Sequence, residues 1–65
     1  MKPMLIGWRQ DPFRCEFRGE STGGWLQIFK GDELVGREPV PSLTVAYQRA
    51  RELCAQLLWD QAKGA

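Results

Sequence analysis

The sequence contains no histidine, only two cysteines and almost no net charge, and each of these shortages argues against a class of function. Nine basic and eight acidic residues give a formal net charge of +1 over 65 residues, so bulk attraction to nucleic acid or to a membrane surface is weak. No apolar run approaches the ~20 residues that a membrane-spanning helix needs. Without histidine, the commonest general base and a frequent zinc ligand are missing. We therefore expect no catalytic site, no metal site, no cofactor and no membrane partner.

The two cysteines, Cys15 and Cys54, lie far apart in the sequence and form no zinc-ligand spacing. The first eight residues contain too short an apolar run for a secretory signal, which predicts a cytoplasmic protein with reduced thiols. We expect both thiols to be buried small hydrophobes rather than reactive nucleophiles. A single Cys15–Cys54 disulfide is the alternative.

A period of two residues identifies the strands. Phe13, Cys15 and Phe17 alternate with charged residues, which is typical of a half-buried strand over residues 13–18. Further strands are predicted at about 4–9, 25–30 and 34–38. A turn at Asp11-Pro12, a long flexible loop at 19–24 and a tight turn at 30–33 separate them. The prolines at 39 and 41 are expected to end the sheet pairing.

A helical period replaces this pattern after Ser42, which is a suitable N-cap residue. The predicted helix spans about 42–63. Its apolar stripe consists of Leu43, Ala46, Ala50, Leu53, Cys54 and Leu57. The sequence therefore predicts one domain over residues 1–65 with an α+β fold, in which an antiparallel meander of three to four strands carries one C-terminal helix on one face (β-β-β-β-α).

One helix can cover only one face of such a sheet, and the strand at 25–30 has large apolar residues on both faces. If Leu26 and Ile28 point inward, Trp25 and Phe29 point outward, and the reverse register exposes the other pair. The sequence leaves the choice of register open. It also leaves open whether the N-terminal segment with Trp8 crosses the uncovered face and shields it.

These aromatic residues suggest a contact surface. Trp59 lies on the side of the helix opposite its apolar stripe, and a chain this short gains stability by oligomerising. We expect a non-enzymatic protein–protein interaction module that forms a homodimer or binds another protein. Trp25, Phe29 and Trp59 would be its apolar anchors, and Arg14 and Arg18 its polar contacts.

Single-stranded nucleic-acid binding is the alternative function. Trp25 and Phe29 on an open sheet could stack against bases, while Arg14, Arg18, Lys30 and Arg37 neutralise phosphates. Glu16 counts against this reading because it lies between two of the arginines on the same strand.

Overall fold

The computed structural model describes residues 4–63, which form four strands and one helix. The elements are β1 (Met4–Gln10), β2 (Phe13–Glu20), β3 (Gly23–Lys30), β4 (Glu33–Val40) and α1 (Leu43–Lys63). The strands are antiparallel in the order β1-β2-β3-β4, and α1 packs against one face of the sheet. The predicted β-β-β-β-α fold is confirmed. All four strands run beyond their predicted bounds.

The pairing of the two central strands decides which residues point toward the helix. Residues directly opposite each other on antiparallel strands share a face, and Phe17 pairs with Leu26 as Cys15 pairs with Ile28. These four side chains are buried against α1 on what we call the inner face. Trp25 and Phe29 therefore lie on the opposite, outer face. This settles the register that the sequence left open.

The core lies between the inner face and the apolar stripe of α1. Its buried members are Phe13, Cys15, Phe17, Leu26, Ile28, Val40, Ala46, Ala50 and Cys54. Two alanines at the centre of the stripe let the helix backbone lie close to the sheet, so bulkier residues are needed only at its margins. Leu43, Leu53 and Leu57 pack there, as predicted. Val45 lies on the far side of the helix on a helical wheel, but it is partly buried against the core at the first turn.

The glycine-rich segment 19–24 is not the flexible loop that the sequence suggested. Strand pairing continues through it and leaves only residues 21 and 22 as a turn. Gly19 and Gly24 lie opposite each other on the inner face, next to the ring of Phe17. A β-carbon at Gly24 would lie 2.6 Å from that ring, and one at Gly19 would lie 3.0 Å from it. The glycines are therefore explained by packing within the sheet.

The expectation that Pro39 ends the pairing is also wrong. β4 continues to Val40, and Pro39 lies opposite Trp25 in the ladder. β4 is an edge strand, so a residue without a backbone N–H is tolerated where that group would point away from the sheet. The same strand contains an irregularity opposite Ile28 and Phe29. Both features make the β4 edge a poor template for further pairing.

β1 forms the other edge of the sheet and does not cross the outer face. Trp8 lies on the inner face, where its ring centroid is 4.5 Å from that of Tyr47 on α1. The N-terminal shield over Trp25 and Phe29 is therefore wrong for residues 4–10. Residues 1–3 lie outside the described residues. The tryptophan instead extends the core toward the β1 edge, where it is partly buried.

The helix runs along the sheet and then past its end. Ser42 caps it as predicted, since its hydroxyl accepts a hydrogen bond from the amide of Val45 at 3.3 Å. Farther along, Cys54 contacts Cys15, which is only two residues from the start of β2. No residue from 55 to 62 is fully buried. The last two turns of α1 thus extend past the end of the sheet, which covers them only in part.

Candidate interaction surfaces

The outer face is basic although the chain as a whole is nearly neutral. The register of the three strand pairs places a set of charged residues on this face: Arg9, Arg14, Arg18 and Arg37, with Glu16 and Glu20. Of the seven basic residues among residues 4–62, four are thus on one surface with two carboxylates of the strands. A third carboxylate, that of Asp11 in the turn after β1, lies 3.6 Å from Arg9. Lys30 was expected to belong to this group, but it alternates to the inner side at the end of β3.

The two aromatic rings of the outer face do not form a bare apolar patch. The guanidinium carbon of Arg14 lies 4.5 Å from the ring centroid of Phe29, and that of Arg37 lies 4.0 Å from the ring centroid of Trp25. Both are cation–π distances. Trp25 and Phe29 are both half-buried. Arg14 is also held by Glu16, whose carboxylate lies 2.8 Å away.

Arg18 also lies on this surface, and it has no ion-pair partner among residues 4–62. It is exposed and lies opposite Trp25 on one neighbouring strand and Leu5 on the other. Four of the five predicted contact residues, namely Arg14, Arg18, Trp25 and Phe29, are thus brought together on the outer face.

The fifth, Trp59, is not part of that surface. It lies on the last turns of α1, on the side of the helix that faces away from the sheet, and is 63% exposed. The outer face and Trp59 are therefore on opposite sides of the molecule. They cannot serve as one contact patch.

A second surface, which the sequence analysis did not identify, follows the β1 edge. Tyr47 contacts Trp8, so its side of α1 lies above β1. Leu58 comes eleven residues later, close to three helical turns, and therefore lies on the same flank. Six large hydrophobic side chains are exposed within the described part of the chain: Met4, Leu5, Leu34, Tyr47, Leu58 and Trp59. Four of them lie on β1 or on this flank, and together we call them the β1-edge surface: Met4, Leu5, Tyr47 and Leu58.

Ion pairs formed by Arg49 occupy the opposite flank of α1, which lies above β4. Arg49 donates two hydrogen bonds to the carboxylate of Glu38 on β4, at 2.7 and 3.0 Å, and a third to Glu52. These hydrogen bonds hold the pKa of Glu38 below its ordinary value. The flank of α1 above β4 is therefore joined to the sheet by an ion pair, whereas the flank above β1 exposes apolar groups.

The two thiols meet in the core and show no sign of activation. Cys15 and Cys54 are both free and buried, and each contacts the other. Burial, with a smaller effect of Cys54, raises the pKa of Cys15 to about 12. Burial also raises the pKa of Cys54. Thiols of this kind are poor nucleophiles because the thiolate is disfavoured.

Among residues 4–63, no group of three or more cysteine or acidic residues has an arrangement that could hold a metal ion. No helix in the same range is long and apolar enough to cross a membrane.

Comparisons of the chain with protein-family models, with curated proteins and with solved structures found no match.

Proposed function

We propose that this chain is a non-enzymatic, self-associating interaction module, and that two copies pair through their β1 strands. The observation that carries the proposal is the concentration of exposed apolar side chains on the β1-edge surface. Met4 and Tyr47 lie on the helix side of this edge and Leu5 lies on the outer face, so exposed apolar groups flank the edge from both sides, as is typical of protein contacts. This differs from the expectation based on Trp25, Phe29 and Trp59, because the first two are covered by arginines and the third stands apart.

Over Met4–Gln10, the β1 edge has only one of the features that normally prevent strands from pairing, the charged residue Arg9. Edge strands are usually protected by proline, by lysine or by bulges. β4 contains Pro39 and an irregularity, whereas β1 has neither proline nor lysine over Met4–Gln10. Backbone pairing with a second copy is therefore favoured at β1 and disfavoured at β4.

A symmetric pairing centred on Gly7, the middle residue of β1, uses the full length of the strand. It places Ile6 opposite Trp8 of the second copy on the inner face, a β-branched–aromatic pair that stabilises antiparallel strands. On the outer face it places Leu5 opposite Arg9 of the second copy. A β-carbon at Gly7 would meet only ordinary contacts, the closest at 3.7 Å, so a side chain can be introduced at the twofold axis.

The same symmetry brings the two helices together above the joined sheets. The start of α1 lies near the Met4 end of β1, where Leu43, Met4 and Phe17 line an open groove. Antiparallel pairing puts the Gln10 end of the second β1 beside this groove. Leu58 of the second copy, on the β1 flank of its helix, is thereby brought toward it. The arrangement gives a small core an apolar extension that a single copy lacks.

Sedimentation over a hundredfold concentration range tests the proposal. We expect a wild-type dimer, and we expect Leu5→Lys to weaken it at least about tenfold, because the new lysine lies opposite Arg9 of the second copy. Leu58→Lys should also weaken it. The matched control is Leu34→Lys, since Leu34 is a similarly exposed leucine on β4.

Cross-linking tests the symmetry separately. A Gly7→Cys variant should form a disulfide-linked dimer on mild oxidation, because the two introduced thiols face each other at the axis. A wild-type monomer at every concentration would refute the proposal. Loss of the dimer in Leu34→Lys or Trp59→Ala, with Leu5→Lys unaffected, would place the contact elsewhere and would also refute it.

A further inference from the structure

We propose that the outer face binds a single strand of nucleic acid, with unpaired bases stacking at Trp25 and Phe29 and the arginines contacting phosphates. This inference does not depend on β1 pairing, because it uses the face of the sheet and not its edge. The charge of the face favours a polyanion, since four arginines there are opposed by two carboxylates on the strands and by Asp11 in the adjacent turn. Arg14 pairs with Glu16 and Arg9 with Asp11, which leaves Arg18 and Arg37 without a carboxylate partner among residues 4–62.

The spacing along β3 suits successive nucleotides. Residues on one face of a strand are about 6.8 Å apart, which is about twice the 3.4 Å spacing of nucleotides within one strand of a duplex. An unstacked, extended strand can therefore place one nucleotide above each of Trp25, Gln27 and Phe29. The amide of Gln27, between the two rings, can donate to and accept from a base edge.

The arginines over the rings are compatible with this role. Guanidinium planes, like aromatic rings, offer a flat surface on which a base can stack. Arg37 above Trp25 and Arg14 above Phe29 can thus stack with a base or swing aside to a phosphate. Arg18 and Arg9 are exposed on the strands beside them and extend the positive charge toward β1.

The geometry favours a single strand over a duplex. Stacking on side chains requires bases that are free of their neighbours, and a duplex keeps its base faces covered. Among residues 4–63, no helix or ribbon protrudes from the outer face to enter a groove, because α1 lies on the opposite side of the sheet.

The test is a titration of fluorescently labelled oligothymidylate, about 12 nucleotides long, followed by anisotropy. If about three arginines contact phosphates, the salt slope is about −2, and raising salt from about 50 to about 200 mM weakens binding about 20-fold. The double variant Arg18→Glu, Arg37→Glu should bind at least about tenfold more weakly. The matched control is Arg51→Glu, an exposed arginine on α1 behind the sheet.

Stacking has its own readout. Trp25→Ala should weaken binding at least about fivefold while leaving the salt slope unchanged, provided that circular dichroism shows the variant to be folded. Where Trp25→Ala does not fold, Arg18→Glu, whose side chain is exposed, still tests the contribution of the charges. The proposal is overturned by absence of binding at low salt, by equal affinity for a matched duplex, by equal competition from polyglutamate, or by an equal loss in Arg51→Glu.

Discussion

Gly24→Ala is the substitution whose cost the structure specifies most directly. A β-carbon at this position would lie 2.5 Å from the carbonyl oxygen of Arg18 and 2.6 and 2.9 Å from two atoms of the Phe17 ring. The first atom belongs to the paired strand, and the second two belong to a core side chain that is 3% exposed. Neither can move without disturbing the sheet or the core.

Overpacking of this kind costs about 1–3 kcal/mol. For a domain of this size, each kcal/mol lowers the melting temperature by about 4–8 °C. Taking about 2 kcal/mol, we expect Gly24→Ala to melt about 8–16 °C below the wild type. The loss is large for a 65-residue chain, whose total stability is on the order of 3–10 kcal/mol.

The matched control is Gly36→Ala, another strand glycine of the inner face. Its β-carbon would approach the side chain of Ile28 no closer than 3.6 Å, which is an ordinary contact. This substitution should therefore be neutral, or stabilising by about 0.4–1 kcal/mol through the unfolded state. Thermal unfolding at one fixed protein concentration compares the two. Equal melting temperatures for Gly24→Ala and Gly36→Ala would refute the packing argument.

Two further predictions concern titratable groups. Hydrogen bonds from Arg49 hold the pKa of Glu38 in the folded state below its ordinary value of 4.5. The stability that this pair contributes is therefore complete above pH 4.5, and it is lost as the pH falls through the lower pKa of the folded state. The difference in melting temperature between wild type and Glu38→Gln should thus be present at pH 7 and shrink at pH 3; an equal difference at both would contradict the assignment. The buried thiols of Cys15 and Cys54 should react with Ellman's reagent only after denaturation. A pKa of about 12 leaves about one part in ten thousand of Cys15 as thiolate at pH 8. Rapid labelling of the native protein would show instead that the thiols are accessible.

Much of this fold follows from periodicity alone. The alternation of Phe13, Cys15 and Phe17 and the helical stripe around Ala50 are strong local patterns, and both lie in the core as expected. The break between them at Ser42 is marked by a capping residue. These features could be predicted because each depends on residues close together in the sequence.

The errors have a common cause in contacts between distant residues. Gly19 and Gly24 look like loop residues until the ring of Phe17 is placed over them. Pro39 looks like the end of a strand unless β4 is known to be an edge. The register of Trp25 could not be chosen because both faces of its strand are apolar. In each case the deciding interaction is tertiary and leaves no local signal.

The β1-edge surface was missed for a related reason. Tyr47 and Leu58 are marginal to the core stripe on a helical wheel, and only the contact between Tyr47 and Trp8 shows that this flank lies above an edge strand. A usable signal was nevertheless present. Residues 4–8 are apolar on both faces, which is unusual for a strand whose outer edge faces water.

The two proposed surfaces can act at the same time because one is the β1 edge of the sheet and the other is its outer face. Pairing through β1 extends the sheet sideways and leaves the outer faces of both copies open. It also brings Arg9 of each copy close to the twofold axis, where each arginine lies opposite Leu5 of the other copy. Two separate basic faces would then become one continuous face. A strand of nucleic acid long enough to cross the axis would contact both copies and would stabilise the dimer by the same factor by which dimerisation strengthens its binding.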